Sequence, residues 1–311
     1  MAAPLPRRFL VGAAGSRAGA FGPTEWSLVV GVGLVWGASF LFIAEGLEAF
    51  PPALVAFIRL SLGTLTLAAF PRARQPIERG DWPTVAALGT LWMAIPFTLF
   101  PIAQQWVDSS VAGMINGCMP VLTAAVAAVV FRLRTAPGVV AGIAVGFAGV
   151  LLVSLPNAVG GRARPLGVTL LLLAVLLYAV ASNLTVPLQQ RYGALPVILR
   201  AQLVAVALTG VAAAITGRDV DWQWSSAAAM VPLGALGSGF AFIAFATLLG
   251  RAGAARGAIA IYLVPGVAIA LGVVLRNESV EPLAVVGSAL IIVGAWITGS
   301  RADADTPRAR P

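Results

Sequence analysis

The sequence predicts an all-α integral membrane protein of ten transmembrane helices, arranged as two inverted five-helix repeats. Three observations carry that expectation. Apolar residues make up 59% of the 311 and charged residues only 10%, with a mean hydropathy of +0.93, well outside the composition of soluble domains. The charges avoid a series of apolar runs, each close to the roughly 20 residues a helix needs to cross hydrocarbon. The second half of the chain also repeats the first at a constant offset of 145 residues.

Taken in order, the runs fall at 26–44, 52–70, 84–103, 109–131, 137–154, 166–186, 195–215, 226–249, 256–275 and 282–299. The first follows a basic tail, and the second opens after Phe50-Pro51-Pro52. Gly80-Asp81-Trp82-Pro83 turns the chain into the third, Pro137 and Pro282 start the fifth and tenth, and Gly217-Arg218-Asp219 precedes the eighth. Such glycine- and proline-bearing dipeptides are turn chemistry. Within lipid every backbone polar group must be satisfied internally, and runs of this length are too long for barrel strands, so helices are expected.

Orientation follows from the arginines, the only basic residues present. Arg162, Arg164, Arg218 and Arg276 fall on one side, Arg59 and Arg200 inside spans, and the remaining fourteen of the twenty on the side of both termini. The positive-inside rule makes that side cytosolic. Residues 1–25 contain Arg7-Arg8-Phe9-Leu10-Val11, similar to a twin-arginine signal core, but the following apolar stretch is short, glycine-rich and interrupted by Arg17. The segment is read as a basic cytosolic tail, residues 155–165 as an outer linker, and 300–311 as a disordered cytosolic tail.

The repeat pairs Pro120 with Pro265, Pro137 with Pro282, Gly142 with Gly287 and Gly149 with Gly294. Without a gap it extends back through Leu88/Leu233, Gly89/Gly234, Leu91/Leu236, Phe97/Phe242 and Phe100/Phe245. Five helices is an odd number, so the repeats at 26–154 and 166–299 enter the membrane in opposite senses, an arrangement common among secondary transporters.

Several motifs then resemble the EamA type of the drug/metabolite transporter superfamily. They are Trp36-Gly37-Ala38-Ser39-Phe40, Pro51-Pro52 with Phe57-Ile58-Arg59, the run from Ala112 to Val129 around Pro120, and Gly142 to Gly149. The second half adds Tyr178-Ala179-Val180-Ala181-Ser182-Asn183, Pro265 and Glu278 to Gly294. The resemblance implies two EamA-like repeats in a bacterial-type inner (plasma) membrane, with the fourth and ninth helices lining a central cavity. One position departs from the pattern: Glu278 stands nine residues before Gly287, whereas Leu133 stands nine before Gly142. A glutamate there would favour a helix N-terminus.

Candidate cavity residues follow from polarity at mid-span and from symmetry. Pro120 and Pro265 each remove a helical hydrogen bond halfway through a span, which serves either a binding site or packing alone. Arg59, eight residues into the second span, costs roughly 2.5–3.5 kcal/mol to insert; it contacts a substrate anion or pairs structurally, with Glu45 or Glu48 as partners. Arg200 is close enough to the cytosolic end to snorkel. Ser39, Asn116, Thr123, Asn183, Gln202 and Ser238 are mid-span polar groups of the kind that bridge helices. Together with the aromatics Trp36, Trp92, Tyr178 and Tyr262 they would line a mixed polar and apolar cavity. Gly138, Gly142 and Gly146 form a small-residue seam for close helix packing.

These features exclude several functions. Without lysine there is no Walker A loop, and without histidine neither a zinc site nor a Ser-His-Asp triad is expected. The aspartates lie in loops or tails, and Cys118 is the single cysteine, so an intramembrane protease, a disulfide, a cofactor and a metal are not expected. Arginines placed singly or in pairs between apolar runs argue against nucleic acid despite the net charge of +8. The expected partners are the lipid bilayer and a small-molecule substrate, with a homodimer left open. The expected function is secondary transport, export of a small metabolite, amino acid or amphipathic compound by alternating access. A non-transporting subunit or lipid-handling accessory protein is the alternative.

Overall fold

The computed structural model describes residues 22–130, 137–159, 165–216, 220–252 and 259–304, and among them all regular structure is helical. The elements are α1 (Pro23–Leu47), α2 (Pro52–Ala68), α3 (82–103), α4 (109–129), α5 (Pro137–Val159), α6 (Pro165–Tyr192), α7 (Ala194–Thr216), α8 (224–252), α9 (259–276) and α10 (Pro282–Ala304). By length and composition α1, α3, α4, α6, α7 and α8 suffice to cross a membrane, while α2, α5, α9 and α10 contain shorter apolar helices. Proline opens α1, α2, α5, α6 and α10, where its fixed φ suits the first turn and its missing N–H would have no helical partner.

Several boundaries differ from the sequence expectation, three of them at the tails and the linker. Helix α1 begins at Pro23, inside the expected tail; α5 runs to Val159, leaving only 160–164 of the expected linker; and α10 runs to Ala304, so the tail starts later than residue 300. Extending an existing helix adds one hydrogen bond per residue fixed and needs no new nucleus, so the polar ends carry on past the apolar stretch. The twin-arginine-like motif and Leu133 lie outside the described residues.

Two faces can be distinguished. At the terminal face, where α1 starts and α10 ends, Arg191 at the end of α6 pairs with Glu78 at 2.6 Å and Asp81 at 2.8 Å before α3. Arg200 of α7 reaches the same face, donating to the carbonyls of Ala73 and, at 2.8 Å, Arg74. At the opposite face Arg276, ending α9, pairs with Glu45 at 2.5 Å and Glu48 at 2.8 Å at the end of α1. Between the faces large apolar side chains point outward, Leu65, Val129, Val211, Ile215 and Val274 each more than 60% exposed. A belt of that kind is a liability in water and ordinary against lipid.

Helices α5 and α10 cross at glycines. A Cβ on Gly149 would stand 2.5 Å from the Gly287 carbonyl oxygen, and one on Gly294 would meet the Gly142 carbonyl oxygen at 2.6 Å as well as the Gly146 backbone. Under the offset of 145, Gly149 and Gly287 correspond to Gly294 and Gly142, so the two contacts are equivalents of one another. The expected seam is thus used at Gly142 and Gly146.

Further equivalences mark α3 and α8. Each contains a π-helical stretch, Gly89–Ala94 in one and Pro232–Phe240 in the other. A Cβ on Gly89 would stand 2.6 Å from the Ala201 carbonyl oxygen of α7, and one on Gly234 would stand 2.9 Å from the Arg59 carbonyl oxygen of α2. Helix α4 is interrupted at Gly117-Cys118 and α9 at Leu263, just before Pro120 and Pro265.

Candidate functional site: a central cavity open to one face

The interruptions of α4 and α9 border a cavity of about 480 Å³, within the usual range for small-molecule sites. Ten of the sequence-predicted residues line it: Trp36, Ser39, Arg59, Trp92, Asn116, Pro120, Thr123, Tyr178, Asn183 and Tyr262. Gln202, Ser238 and Pro265 do not. Gln202 is fully buried behind the wall, donating to the Ser238 carbonyl at 2.6 Å and accepting from Thr64 Oγ1 at 3.3 Å. Pro265 is buried against α4, where a Cβ on Gly117 would stand 2.6 Å from its Cγ. The ring faces the neighbouring helix, and it is Ile261 and Tyr262, just before the break, that reach the cavity.

Arg59 is the one charged group among the described lining residues. It is 7% exposed, donates from Nε to Ser238 Oγ at 2.8 Å, and lies over the Phe97 ring at 4.0 Å. Neither Glu45 nor Glu48 is its partner, contrary to the sequence expectation, because both are engaged by Arg276 at the opposite face. The polar series Arg59, Ser238, Gln202, Thr64 ties α2, α7 and α8 together. Trp36 donates to the Gly237 carbonyl at 3.0 Å and packs on Phe242 and Phe245, and Phe100 stacks on Tyr178 at 5.8 Å. Asn183 donates to the carbonyls of Ala179 and Thr123, and Tyr262 to that of Ala295 at 2.8 Å.

Among the described residues the cavity is one-sided. Its lining reaches Gln189 and Ala194 at the α6–α7 turn, eleven residues beyond Tyr178 and so about 16 Å along the helix toward the terminal face. In the other direction Phe40 packs on Phe100 at 5.6 Å, with Ile43, Ala112 and Ala268 buried around them. Above this layer Glu278 closes the opposite face. Its Oε1 accepts from Ser109 N at 2.9 Å and Ser109 Oγ at 2.6 Å, and its Oε2 from Ser110 N at 2.9 Å. These are otherwise unpaired donors of the first turn of α4, where a carboxylate is also favoured by the helix dipole. Asn277, in the left-handed conformation at φ 52°, makes the turn that aims Glu278 there, and Gly272 leaves room for the carboxylate. The glutamate thus serves a helix N-terminus, but that of α4 and not of its own helix.

Among the wall residues that sequence reasoning missed are Phe97, Phe100, Phe242 and Phe245. The signal was present, since they form two of the identical pairs in the repeat.

Comparison with known proteins gives a consistent result. Residues 25–155 and 165–300 each match the model of the EamA-like transporter family. A probable terminal-alkyne amino-acid exporter of Streptantibioticus cattleyicolor is 30% identical over 295 residues, covering 92% of this chain and 98% of that protein. A probable amino-acid metabolite efflux pump of Salmonella typhimurium is 27% identical, covering 85% and 91%. The uncharacterized inner membrane transporter YedA of Escherichia coli is 25% identical, covering 80% and 82%. A solved crystal structure matches the fold with a TM-score of 0.65 at 21% identity, covering 90% of this chain and 98% of that one.

Proposed function

The chain belongs to the EamA-like transporter family, and so to the drug/metabolite transporter superfamily of multi-pass membrane proteins; from that premise we propose that it is a secondary exporter of small amphipathic metabolites, amino acids among them. In this reading α1 to α10 all cross the inner membrane with both termini cytosolic. The halves at 26–154 and 166–299 are inverted repeats that rock about the cavity to alternate access. The observation that carries the proposal is the one-sided cavity, lined from both halves, open toward the terminal face and closed by the Glu278 and Arg276 contacts at the other. That is the form expected of a carrier waiting to load from the cytosol. The reciprocal glycine contacts of α5 with α10, and the matching π stretches, support the two-fold relation.

Reconstitution tests the proposal. The purified protein alone in liposomes should move labelled substrate, tested with a panel of amino acids and amphipathic organic acids. Flux that appears only with a second component would favour the accessory-subunit reading instead.

The inverted repeat makes a sharper demand on the proline pair. Pro120→Ala and Pro265→Ala should each restore a helical hydrogen bond while leaving the protein folded. Being equivalent in oppositely oriented halves, they should bias access in opposite directions. Single cysteines at Asn116 and Ile261, both on the cavity wall, would report this in a Cys118→Ala background. Unchanged accessibility and wild-type flux in both variants would assign the interruptions to packing alone.

A further inference from the structure

We infer that the cavity selects organic monoanions, a carboxylate joined to an apolar body, and that the membrane potential alone drives them outward. The inference rests on the transport reading above and adds the substrate's charge and the driving force.

The argument begins with an unbalanced charge. The Arg59 guanidinium has one hydrogen bond, to a neutral hydroxyl, and the face of Phe97. Among the described residues no carboxylate pairs with it, and no aspartate or glutamate lines the cavity. A buried cation without a counter-ion is costly, and a hydrogen-bonded anion is what relieves it. When the halves close over their cargo, a monoanion leaves the site neutral. A zwitterion leaves one positive charge uncompensated, and a cation leaves two. Occlusion is common to both directions of transport, so the charge state that makes it easiest is the one carried.

The rest of the wall fixes the body of the substrate. Trp36, Trp92, Phe100, Tyr178 and Phe242 offer ring faces and edges, suited to an aromatic or alkyl group. Asn116 and Asn183 supply amides that can meet a polar substituent without asking for charge.

The driving force follows from the same inventory. Among the described wall residues no acid is present to carry a proton with the cargo. Arg59 stays with the protein, so the net charge moved per cycle is the substrate's own. A cell interior is negative, and an anion leaving it moves down the potential. No coupling ion is needed for export.

Three probes sharing one body separate the outcomes in proteoliposomes at pH 6: N-acetyl-L-phenylalanine as monoanion, L-phenylalanine as zwitterion and L-phenylalaninamide as cation. The monoanion should have at least about tenfold the kcat/KM of the others. With valinomycin and about a tenfold inward K⁺ gradient it should accumulate about tenfold, with no response to a pH gradient. Arg59→Gln should erase the preference for the anion at near-wild-type thermal stability. Equal rates for the three probes, a preference for the zwitterion, or accumulation that follows pH and ignores K⁺ would overturn the inference while leaving transport intact. Absence of flux with all three, by protein that melts normally, would count against the transport reading itself. Should Arg59→Gln fail to fold, the wild-type comparison of probes still decides.

Discussion

Replacing Glu278 by alanine is expected to open the face that is shut in this structure. Its carboxylate accepts three hydrogen bonds from the first turn of α4, and these exist only while the α9–α10 turn sits against that helix. Hydrogen bonds to a charged group are worth roughly 1.5–3 kcal/mol each, but part of that is regained from water once the face opens. A net loss of about 3 kcal/mol would shift the equilibrium between the two access states by more than about a hundredfold. Only the differential between states counts, and here nearly all of it belongs to one state. An impermeant thiol reagent acting from outside intact cells on Asn116→Cys, in a Cys118→Ala background, should therefore label far faster with Glu278→Ala added. Arg276→Ala should do much less, since its pairs with Glu45 and Glu48 are partly exposed, and such pairs contribute about 0–1 kcal/mol. Equal labelling of Asn116→Cys with and without Glu278 would mean that the apolar layer of Phe40 and Phe100 is the whole seal.

A larger loss, of the fold itself, is expected from Gly294→Val. The new Cβ would be driven into the backbone of Gly146 and the Gly142 carbonyl, and no rotamer moves backbone aside. Helices in lipid associate through such close approach, without the hydrophobic force available in water. Overpacking costs of about 1–3 kcal/mol, or more against backbone, should lower the melting temperature in detergent and broaden the size-exclusion peak. Gly266→Ala is the matched control: nothing lies within 4 Å of the added Cβ, and alanine is the better helix former by about 1 kcal/mol. Equal melting of Gly294→Val and Gly266→Ala would show that α5 and α10 do not hold the halves together.

Helix placement was legible in the sequence because the membrane imposes one rule, about 20 apolar residues per crossing, and the prolines at 23, 52, 137, 165 and 282 punctuate it. The cavity was legible where symmetry or mid-span polarity pointed to it, as at Pro120, Asn116 and Arg59. It was not legible where position depends on helix rotation. Gln202 and Asn183 read alike along the chain, yet one is locked behind the wall and the other on it. The partner of Glu278 lies 169 residues away, and the choice of Arg276 over Arg59 by Glu45 and Glu48 depends on which helix ends meet. No periodicity records either.

The two π stretches occupy overlapping places in the repeat. A π turn holds one residue more than the α-helical turn it replaces, so an insertion made in one half alone would change the offset between the halves on crossing it. The offset does not change: Leu88 matches Leu233 before the stretch, and Phe97 matches Phe242 after it, both 145 residues apart. Both halves therefore carry the extra residue. A residue lost from one stretch alone would break the 145-residue register between the halves.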